Sequence, residues 1–231
     1  LKTIHFCDLK TKKEKRRSPV TKNELLCQMV QQCIHNQLKF KYVLADSWFA
    51  SSHNMLFIHR KKKFFIFDMK SNRKAVLSLE DRNNGQWSRI DELDIPDNTP
   101  VKVWLKDLEI PVLLTKQVFK NKNQSTGVRF LVSNDFSLTD DDFTTLFKKR
   151  WSVEEYHKSL KQNAAIAKSP TRTVKTQSNH LFASILAYVK LERLKFNQYL
   201  NHFAIKSKIY LAATKAAFKE LNALKAISNF A

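Results

Sequence analysis

Residues 39–72, KFKYVLADSWFASSHNMLFIHRKKKFFIFDMKSN, decide the fold class of this chain. The run up to Asp46 is short, apolar and bounded by charge, which predicts a buried central strand that ends at Asp46. A helix is predicted to open near Ser51 or Ser52, and residues 64–72 then return to a strand pattern. Because functional groups collect at the carboxyl ends of parallel strands, Asp46 becomes a candidate site residue.

The flanking segments extend this alternation of strands and helices. Residues 1–9 predict a strand, followed by a basic loop or hairpin tip. Thr21, with Glu24 three positions later, predicts a capped amphipathic helix. Residues 74–134 contain β-branched runs separated by turn signals, which predict a mostly antiparallel β-rich region. From Thr139 onward the pattern is helical.

This succession predicts an α/β fold in three parts. The parts are a partial α/β core over residues 1–73, a β-rich insertion over 74–138, and a helical completion of the core with C-terminal helices over 139–231.

The charge of the chain is strongly basic and unevenly distributed. The formal net charge is +20. Residues 1–45 carry 10 Lys and Arg against 3 acids, residues 46–146 carry 15 against 14, and residues 147–231 carry 16 against 4. A basic excess at both ends of the chain indicates a polyanion-binding surface, with nucleic acid as the leading candidate partner. Residues 60–63, RKKK, are among the groups placed to contact phosphates.

Several function classes find no support in the sequence. No apolar run is long enough to predict a transmembrane helix, and no basic cluster adjoins a long apolar span, so a membrane partner is not expected. The three cysteines, Cys7, Cys27 and Cys33, form neither a CxxC pair nor a zinc spacing with the histidines. They are interpreted as reduced, partly buried thiols of a cytosolic protein.

A second informative stretch is FKKRWSVEEYHKSLK, residues 147–161. Phe147, Arg150, Glu154 and Lys161 follow one another at steps of three, four and seven, which return to one face of a continuous helix. An acid within a cationic stripe suits a metal beside a phosphate, although Arg150 and Glu154 also fit an ordinary surface ion pair. An apolar companion stripe predicts a buried side, and its members are Trp151, Val153, Tyr156 and Leu160.

The start of this helix has two readings. One capping-box pattern begins at Thr139 and a second begins at Ser152. If the helix breaks near Trp151, only Glu154 and Lys161 share a face by periodicity.

Asp46 and Glu154 are a candidate pair of ligands for a divalent metal. The two acids are far apart in sequence, but the alternation of strands and helices could bring them together. Magnesium binds a few carboxylate oxygens and shares its remaining coordination with water and phosphate. Such a site would support phosphoryl transfer.

Two stretches resemble the cut-and-paste bacterial insertion-sequence transposases of the DDE class. They are YVLADSWFASSHNM around Asp46, followed by KSNRK, and F-x(2)-R-x(3)-E-x(6)-K from Phe147 to Lys161. That family has a ribonuclease-H-like catalytic core, a β-rich insertion between its second aspartate and its glutamate, and a signature of tyrosine, arginine, glutamate and lysine. The resemblance implies an incomplete ribonuclease-H-like core with such an insertion and C-terminal helices.

The resemblance also implies residue roles. Asp46 corresponds to the second aspartate and Glu154 to the glutamate, both catalytic and both ligands of Mg²⁺ or Mn²⁺. Phe147 stands where the family usually has tyrosine, so the hydroxyl is lost while stacking or packing could remain. Residues expected to bind DNA, largely through the backbone, are Phe147, Arg150, Lys158, Lys161, Lys168, Arg172 and Lys175.

The family's first aspartate has no counterpart in the match. It lies on an earlier strand, and this chain is expected to be N-terminally truncated downstream of it. Asp8 is on the opening strand, but its surroundings do not resemble the first motif. Without a third carboxylate a metal pair loses a bridging ligand, so we expect this polypeptide alone to be inactive.

Three functions therefore stay open. The first is a DNA transposase enzyme that cleaves and joins strands with Mg²⁺. The second is a non-catalytic DNA-binding or regulatory transposase remnant, and a general nuclease on the same fold is a third interpretation. The partner would be double-stranded DNA, at transposon ends and target, and the family implies a homodimer in a synaptic complex. A cytoplasmic, nucleoid-associated location is expected.

Overall fold

The computed structural model describes the backbone of residues 4–7, 14–121, 123–170 and 173–228, and side chains from residue 18 to residue 225 within those ranges. Two compact units result, Leu1–Arg150 and Trp151–Ala231, which we name the sheet unit and the helical unit. In chain order the elements are β1 (Ile4–Cys7), β2 (Glu14–Arg17), α1 (Lys22–His35), β3 (Tyr42–Ala45), α2 (Ser52–Arg60), β4 (Phe64–Met69), β5 (Lys74–Val76), α3 (Leu79–Asn83), β6 (Ser88–Arg89), β7 (Val101–Leu105), β8 (Val112–Lys120), β9 (Thr126–Ser133), α4 (Asp140–Lys148), α5 (Ser152–Gln162), α6 (Val174–Gln198) and α7 (His202–Ser228).

The sheet unit contains a seven-stranded sheet in the order β3-β4-β9-β8-β7-β5-β6, and β1 pairs with β2 in a separate antiparallel pair. β3 and β4 are parallel, as expected for a strand, helix and strand succession, while the other pairs of the sheet are antiparallel. The prediction that β3 is a central strand is wrong for the described part of the chain, where β3 is the terminal strand. Ala45 is buried and the three other residues of β3 are half-buried, so the predicted burial is only partly met. A short apolar run does not distinguish a terminal strand from a central one.

Local capping signals set the starts of several helices. Thr21 accepts a hydrogen bond from the Glu24 backbone N–H, and the Glu24 carboxylate accepts one from the Thr21 N–H, which completes the predicted capping box. Ser51 caps α2 through the backbone of the third helical residue. Thr139 and Asp142 form a second capping box at α4.

The predicted capping box at Ser152 is wrong. A short 3₁₀ helix, Lys149–Trp151, leads directly into α5, and no side chain caps the start of α5. Since the chain is already helical before Ser152, this residue does not occupy the extended conformation that an N-cap requires. Of the two alternatives predicted from the sequence, the structure has the helix that is interrupted near Trp151.

Both faces of the sheet are buried. Phe65 and Phe67 of β4 point to the face covered by α2, where Met55 and Ile58 pack. Their neighbour Ile66 points to the opposite face, where the rings of α4 lie. Successive side chains of a strand alternate between faces, so a continuous apolar run such as that of β4 indicates cover on both sides.

The helical unit consists of α5, α6 and α7. Leu160 of α5 is buried and Tyr156 is half-buried, but Trp151 and Val153 are 60% and 50% exposed, so the predicted apolar stripe is only partly buried.

Cys27 and Cys33 of the sheet unit are free and partly buried, as predicted. Within the part of the chain that the structure describes, no helix is both long and apolar enough to cross a membrane.

Candidate active site

Asp46 lies directly after β3, at the edge of the sheet where the parallel strands end. Its side chain is exposed, and its Oδ1 accepts a hydrogen bond of 3.0 Å from the backbone N–H of Trp48. The backbone carbonyl of Asp46 accepts a further bond of 3.1 Å from Phe49. This turn connects β3 to α2 and holds the carboxylate at the strand end, as the sequence predicted.

A second carboxylate, Asp68, lies beside Asp46. Ala45 pairs with Phe67 in the parallel register, so Asp46 and Asp68 are the next neighbours along β3 and β4. We name this end of the two strands the carboxyl edge. Burial raises the pKa of Asp68, the cations of Arg129 and Arg150 oppose the rise, and Asp46 adds to it. Both Asp46 and Arg150 are therefore close enough to Asp68 to change its pKa.

Asp68 is not among the site residues predicted from the sequence. A signal was available, because Asp68 is the charged residue of a strand, FFIFDM, that otherwise consists of apolar side chains. An acid in such a strand requires a compensating environment, which here includes arginines. The strand pairing was needed to place it next to Asp46.

Phe147 connects the core of the sheet unit to these arginines. Its ring, 6% exposed, packs at the end of α4 in the cluster that contains Ile66 and Leu131. The guanidinium groups of Arg129 and Arg150 lie 5.0 Å and 5.5 Å from the ring centroid. These are cation–π distances, so a buried ring positions two cations near the carboxyl edge.

Arg129 is also held by a polar partner from the sheet. Its Nη2 donates a bond of 2.7 Å to Oε1 of Gln117, the residue opposite it on β8. The Gln117 amide in turn donates to Asp140 and Thr144 of α4. Burial and the nearby charge of Arg150 lower the pKa of Arg129, whereas Asp68 and Asp140 raise it. The network therefore fixes one arginine of the pair to both the sheet and α4.

The helical unit presents the remaining part of the predicted signature on α5. Glu154, Lys158 and Lys161 are all exposed, and Glu154 and Lys161 share a helix as the periodicity required. The ammonium group of Lys158 lies 5.6 Å from the ring centroid of Phe203.

A buried polar network holds α5 within the helical unit. Ser159 Oγ and His202 Nδ1 form a hydrogen bond of 2.7 Å, and both residues are buried. His202 Nε2 lies 3.1 Å from Oε1 of Glu192 without the alignment of a hydrogen bond, and the Tyr188 hydroxyl donates to the same oxygen at 2.9 Å. Burial lowers the pKa of His202 and Glu192 opposes this, which favours the neutral imidazole. A cavity of about 460 Å³ adjoins these side chains.

The other predicted DNA-binding residues lie after α5. Lys168 and Lys175 are exposed, and Lys175 is in the first turn of α6. Arg172 lies outside the described residues.

The donor chemistry of the carboxyl edge fits a hard divalent cation. Asp46 offers an exposed carboxylate and Asp68 a second one, and oxygen donors of this kind suit Mg²⁺ or Mn²⁺. Across the described residues, no group of three or more His, Cys, Asp or Glu side chains is arranged to hold a metal ion. Asp46 belongs to the sheet unit and Glu154 to the helical unit. That both bind one metal ion therefore stays a prediction.

The mixed α/β architecture, a seven-stranded sheet with helices, fits the ribonuclease-H-like domain of a DDE transposase. Comparison with protein families agrees, since residues 19–190 match the family model described as the transposase DDE domain. The match covers nearly three quarters of the chain, which therefore belongs to the transposase DDE domain family. No curated protein matches the chain. Family membership supports a transposase function in general terms and implies a DNA substrate.

Proposed function

We propose that this chain is a DNA transposase of the insertion-sequence type, in the group with a tyrosine, arginine, glutamate and lysine signature. It would bind double-stranded DNA and take part in Mg²⁺-dependent strand cleavage and transfer. The observation that carries the proposal is the carboxyl edge within the family match, where Asp46 lies beside Asp68 and the charges of Arg129 and Arg150, the arginines on Phe147, act on Asp68.

The proposed roles follow from the chemistry of each group. Asp46 and Glu154 would bind the divalent cation, and Arg150, Lys158 and Lys161 would contact phosphates. Phe147 is buried, so it would act as the surface that orients Arg150. Lys168, Arg172 and Lys175 would extend the contact along the DNA backbone, which carries little sequence information.

A divalent cation fits the oxygen donors of this chain. When bound, it supplies Lewis-acid stabilisation of charge at the reacting phosphate. The side chains of this chain would orient the DNA: guanidinium groups bind phosphate oxygens in pairs, and the Trp48 N–H holds the Asp46 carboxylate in place.

We further propose that the polypeptide of residues 1–231 is inactive by itself, since the resemblance assigns it two of the three family carboxylates. Magnesium-dependent nicking or strand transfer by this polypeptide would contradict this. The assignment of two carboxylates instead of three also favours a second candidate function, a non-catalytic DNA-binding or regulatory remnant. Reading the DNA upstream of Leu1 for an in-frame aspartate-bearing strand discriminates between the two.

Other parts of the proposal concern organisation. The division into residues 1–73, 74–138 and 139–231, the homodimer in a synaptic complex, and the nucleoid-associated cytoplasmic location all remain proposals. The strands from β5 to β9 supply the antiparallel pairs expected of residues 74–138. β9 also pairs with β4, so these strands continue the sheet that contains Asp46.

A metal-binding experiment tests the ligand assignment without requiring activity. Crystals soaked with Mn²⁺ should give an anomalous peak at Asp46, and the peak should be lost in Asp46→Asn and Glu154→Gln. Glu155→Gln is the matched control, because it alters the neighbouring acid of the same helix and should keep the peak. Loss of the peak in both glutamate variants, or in neither, would remove Glu154 from the site.

A DNA-binding experiment tests the phosphate contacts. The affinity of the chain for a duplex should fall steeply with salt, and Arg150→Ala should reduce the slope of log K against log salt by about 0.9. Lys149→Ala removes an adjacent exposed cation and serves as the control. A slope near zero for the unaltered chain would end the DNA-binding proposal.

A further inference from the structure

A basic surface lies at the opposite end of the parallel strands from Asp46. Lys41 directly precedes β3 and Lys63 directly precedes β4, while Arg60 ends α2. Because β3 and β4 run in the same direction, these residues meet at the edge where both strands begin. We name this the amino-edge surface, and its cationic members are Lys39, Lys41, Arg60, Lys61, Lys62 and Lys63.

Three lysines of this surface lie over aromatic rings. Lys41 Nζ lies 5.0 Å from the ring centroid of Tyr42 and 5.2 Å from that of Phe64. Lys61 lies 5.4 Å from the Phe57 ring. Lys63 lies 4.8 Å from the Phe40 ring and donates a hydrogen bond of 3.0 Å to the Phe40 carbonyl oxygen. A lysine held in this way loses less conformational freedom when it binds an anion.

The positive charge of the surface exceeds its described counter-charges. Lys41 lies 3.5 Å from the Asp135 carboxylate, and Arg60 lies 3.5 Å from that of Glu109. The Arg60 pair is exposed on both sides, so solvent and salt screen it. The charge of Lys41 also lowers the pKa of Asp142, which adds a third acid. Three acids against six cations leave a patch with an excess of positive charge.

The amino-edge surface is electrostatically separate from the carboxyl edge. Lys41 and Asp46 flank the four residues of β3 and are five positions apart, which is about 16 Å at about 3.3 Å per residue. The Debye length at physiological salt is about 8 Å, so exposed charges at the two edges are screened from each other. One edge therefore does not neutralise or supplement the other, and each can bind its own anion.

We propose that the amino-edge surface is a second DNA-binding surface, which binds a duplex segment other than the one at Asp46. The inference rests on the proposed function in taking DNA as the partner. Lysine ammonium groups act as point charges toward phosphates and give little sequence discrimination. The rings beneath the lysines are partly buried, which favours a polar polyanion over a bilayer, since bilayers take up exposed apolar side chains.

Lys62 allows a test that separates charge from fold. It follows the end of α2 with φ +55°, its N–H donates to the His59 carbonyl, and the Lys63 N–H donates to the Ile58 carbonyl. This is a Schellman motif with lysine at the position that usually holds glycine. Lys62→Gly removes a charge and relieves the backbone, so its effect on stability and its effect on binding have opposite signs.

The expected results for Lys62→Gly are an unchanged or higher Tm and a weaker affinity for duplex DNA. The slope of log K against log salt should fall by about 0.9. Gln37→Gly is the matched control: Gln37 has φ +57° after α1, and its replacement relieves the backbone without a change of charge. An affinity equal to that of the unaltered chain in Lys62→Gly would overturn the proposal.

A combined variant tests the separate duplex. The measurement is energy transfer between two differently labelled duplexes that the full chain brings together. It should be abolished in a variant that combines Lys39→Gln, Lys41→Gln and Lys61→Gln, while binding of one duplex remains. Arg150→Ala should weaken the other contact. If the unaltered chain binds no DNA, the proposed function fails. If it binds through Arg150 but the combined variant bridges duplexes normally, this inference alone fails. Loss of binding to anionic phosphatidylserine vesicles with unchanged DNA binding would assign the surface to membranes and overturn the proposal.

Discussion

The sheet unit and the helical unit hold their functional groups by different means. In the sheet unit, Phe65, Ile66 and Leu131 are fully buried, and apolar packing covers both faces of the sheet. In the helical unit, large side chains such as Phe196 and Tyr199 are 83% and 95% exposed, and a polar network around His202 connects the helices. The buried ring of Phe147 thus positions Arg150, and the packed strand β3 places Asp46 at its end. In the helical unit, hydrogen bonds and charge order the helices, one of which carries Glu154.

The largest expected effect tests whether packing dominates the sheet unit. Phe143 of α4 is fully buried against the sheet, so Phe143→Ala should lower the free energy of unfolding by about 3–5 kcal/mol. Phe196→Ala in the helical unit removes the same ring from an exposed position and should change it by less than about 0.5 kcal/mol. Equal losses in denaturant unfolding would remove the distinction between the units.

A smaller effect tests the polar network of the helical unit. Ser159→Ala removes the partner of the buried His202 Nδ1 and should cost about 1–3 kcal/mol, the range for an unsatisfied buried polar group. Ser207→Ala is the control, since Ser207 is an exposed serine of α7. A double-mutant cycle with His202→Phe measures the coupling between the two residues, and a coupling energy near zero would show that the bond does not stabilise the unit.

The pH dependence of the helical unit sharpens the comparison. Burial lowers the pKa of His202 below its ordinary value, so the unfolded chain takes up a proton before the folded chain does. Stability should therefore fall as the pH decreases from about 6.5 toward the lowered pKa. His202→Phe should flatten this part of a chemical-denaturation profile, with His157→Phe, at an exposed histidine of α5, as the control. An unchanged profile would contradict the assignment.

The smallest effect is expected at Asp68, where the sign is opposite. Burial raises the pKa of Asp68, so ionisation of this carboxyl group opposes folding. The free energy of unfolding should therefore decrease as the pH rises from about 3.9 through the raised pKa. Asp68→Asn should lessen this loss, whereas Asp94→Asn, at an exposed acid, should not. The arginines offset part of the burial effect, so we expect a modest change. A steeper loss in Asp68→Asn would reverse the inferred sign.

Local patterns in the sequence were sufficient for several elements. The capping boxes at Thr21 and Thr139 and the end of β3 at Asp46 follow from side chains within three or four residues of each other. The match of the chain to the transposase DDE domain confirms that the two motifs indicated a DDE transposase, while the insertion-sequence group stays a prediction.

Other features depended on partners far away in the sequence. Asp68 becomes a neighbour of Asp46 through strand register, and Arg129 joins Arg150 through the buried ring of Phe147. The break at Lys149–Trp151 was one of two readings, because periodicity does not distinguish a continuous helix from two helices joined by a tighter turn.

By itself, the sequence determined the main strands and helices, where the basic charge is concentrated, and which family the motifs indicate, because these depend on short-range spacing and composition. The tertiary structure decided which acids lie side by side, which arginines share a ring, and which edge of the sheet carries lysines away from Asp46. The physical reason is that contacts across a sheet depend on strand order and register, and many distant apolar side chains determine these together by burying both faces.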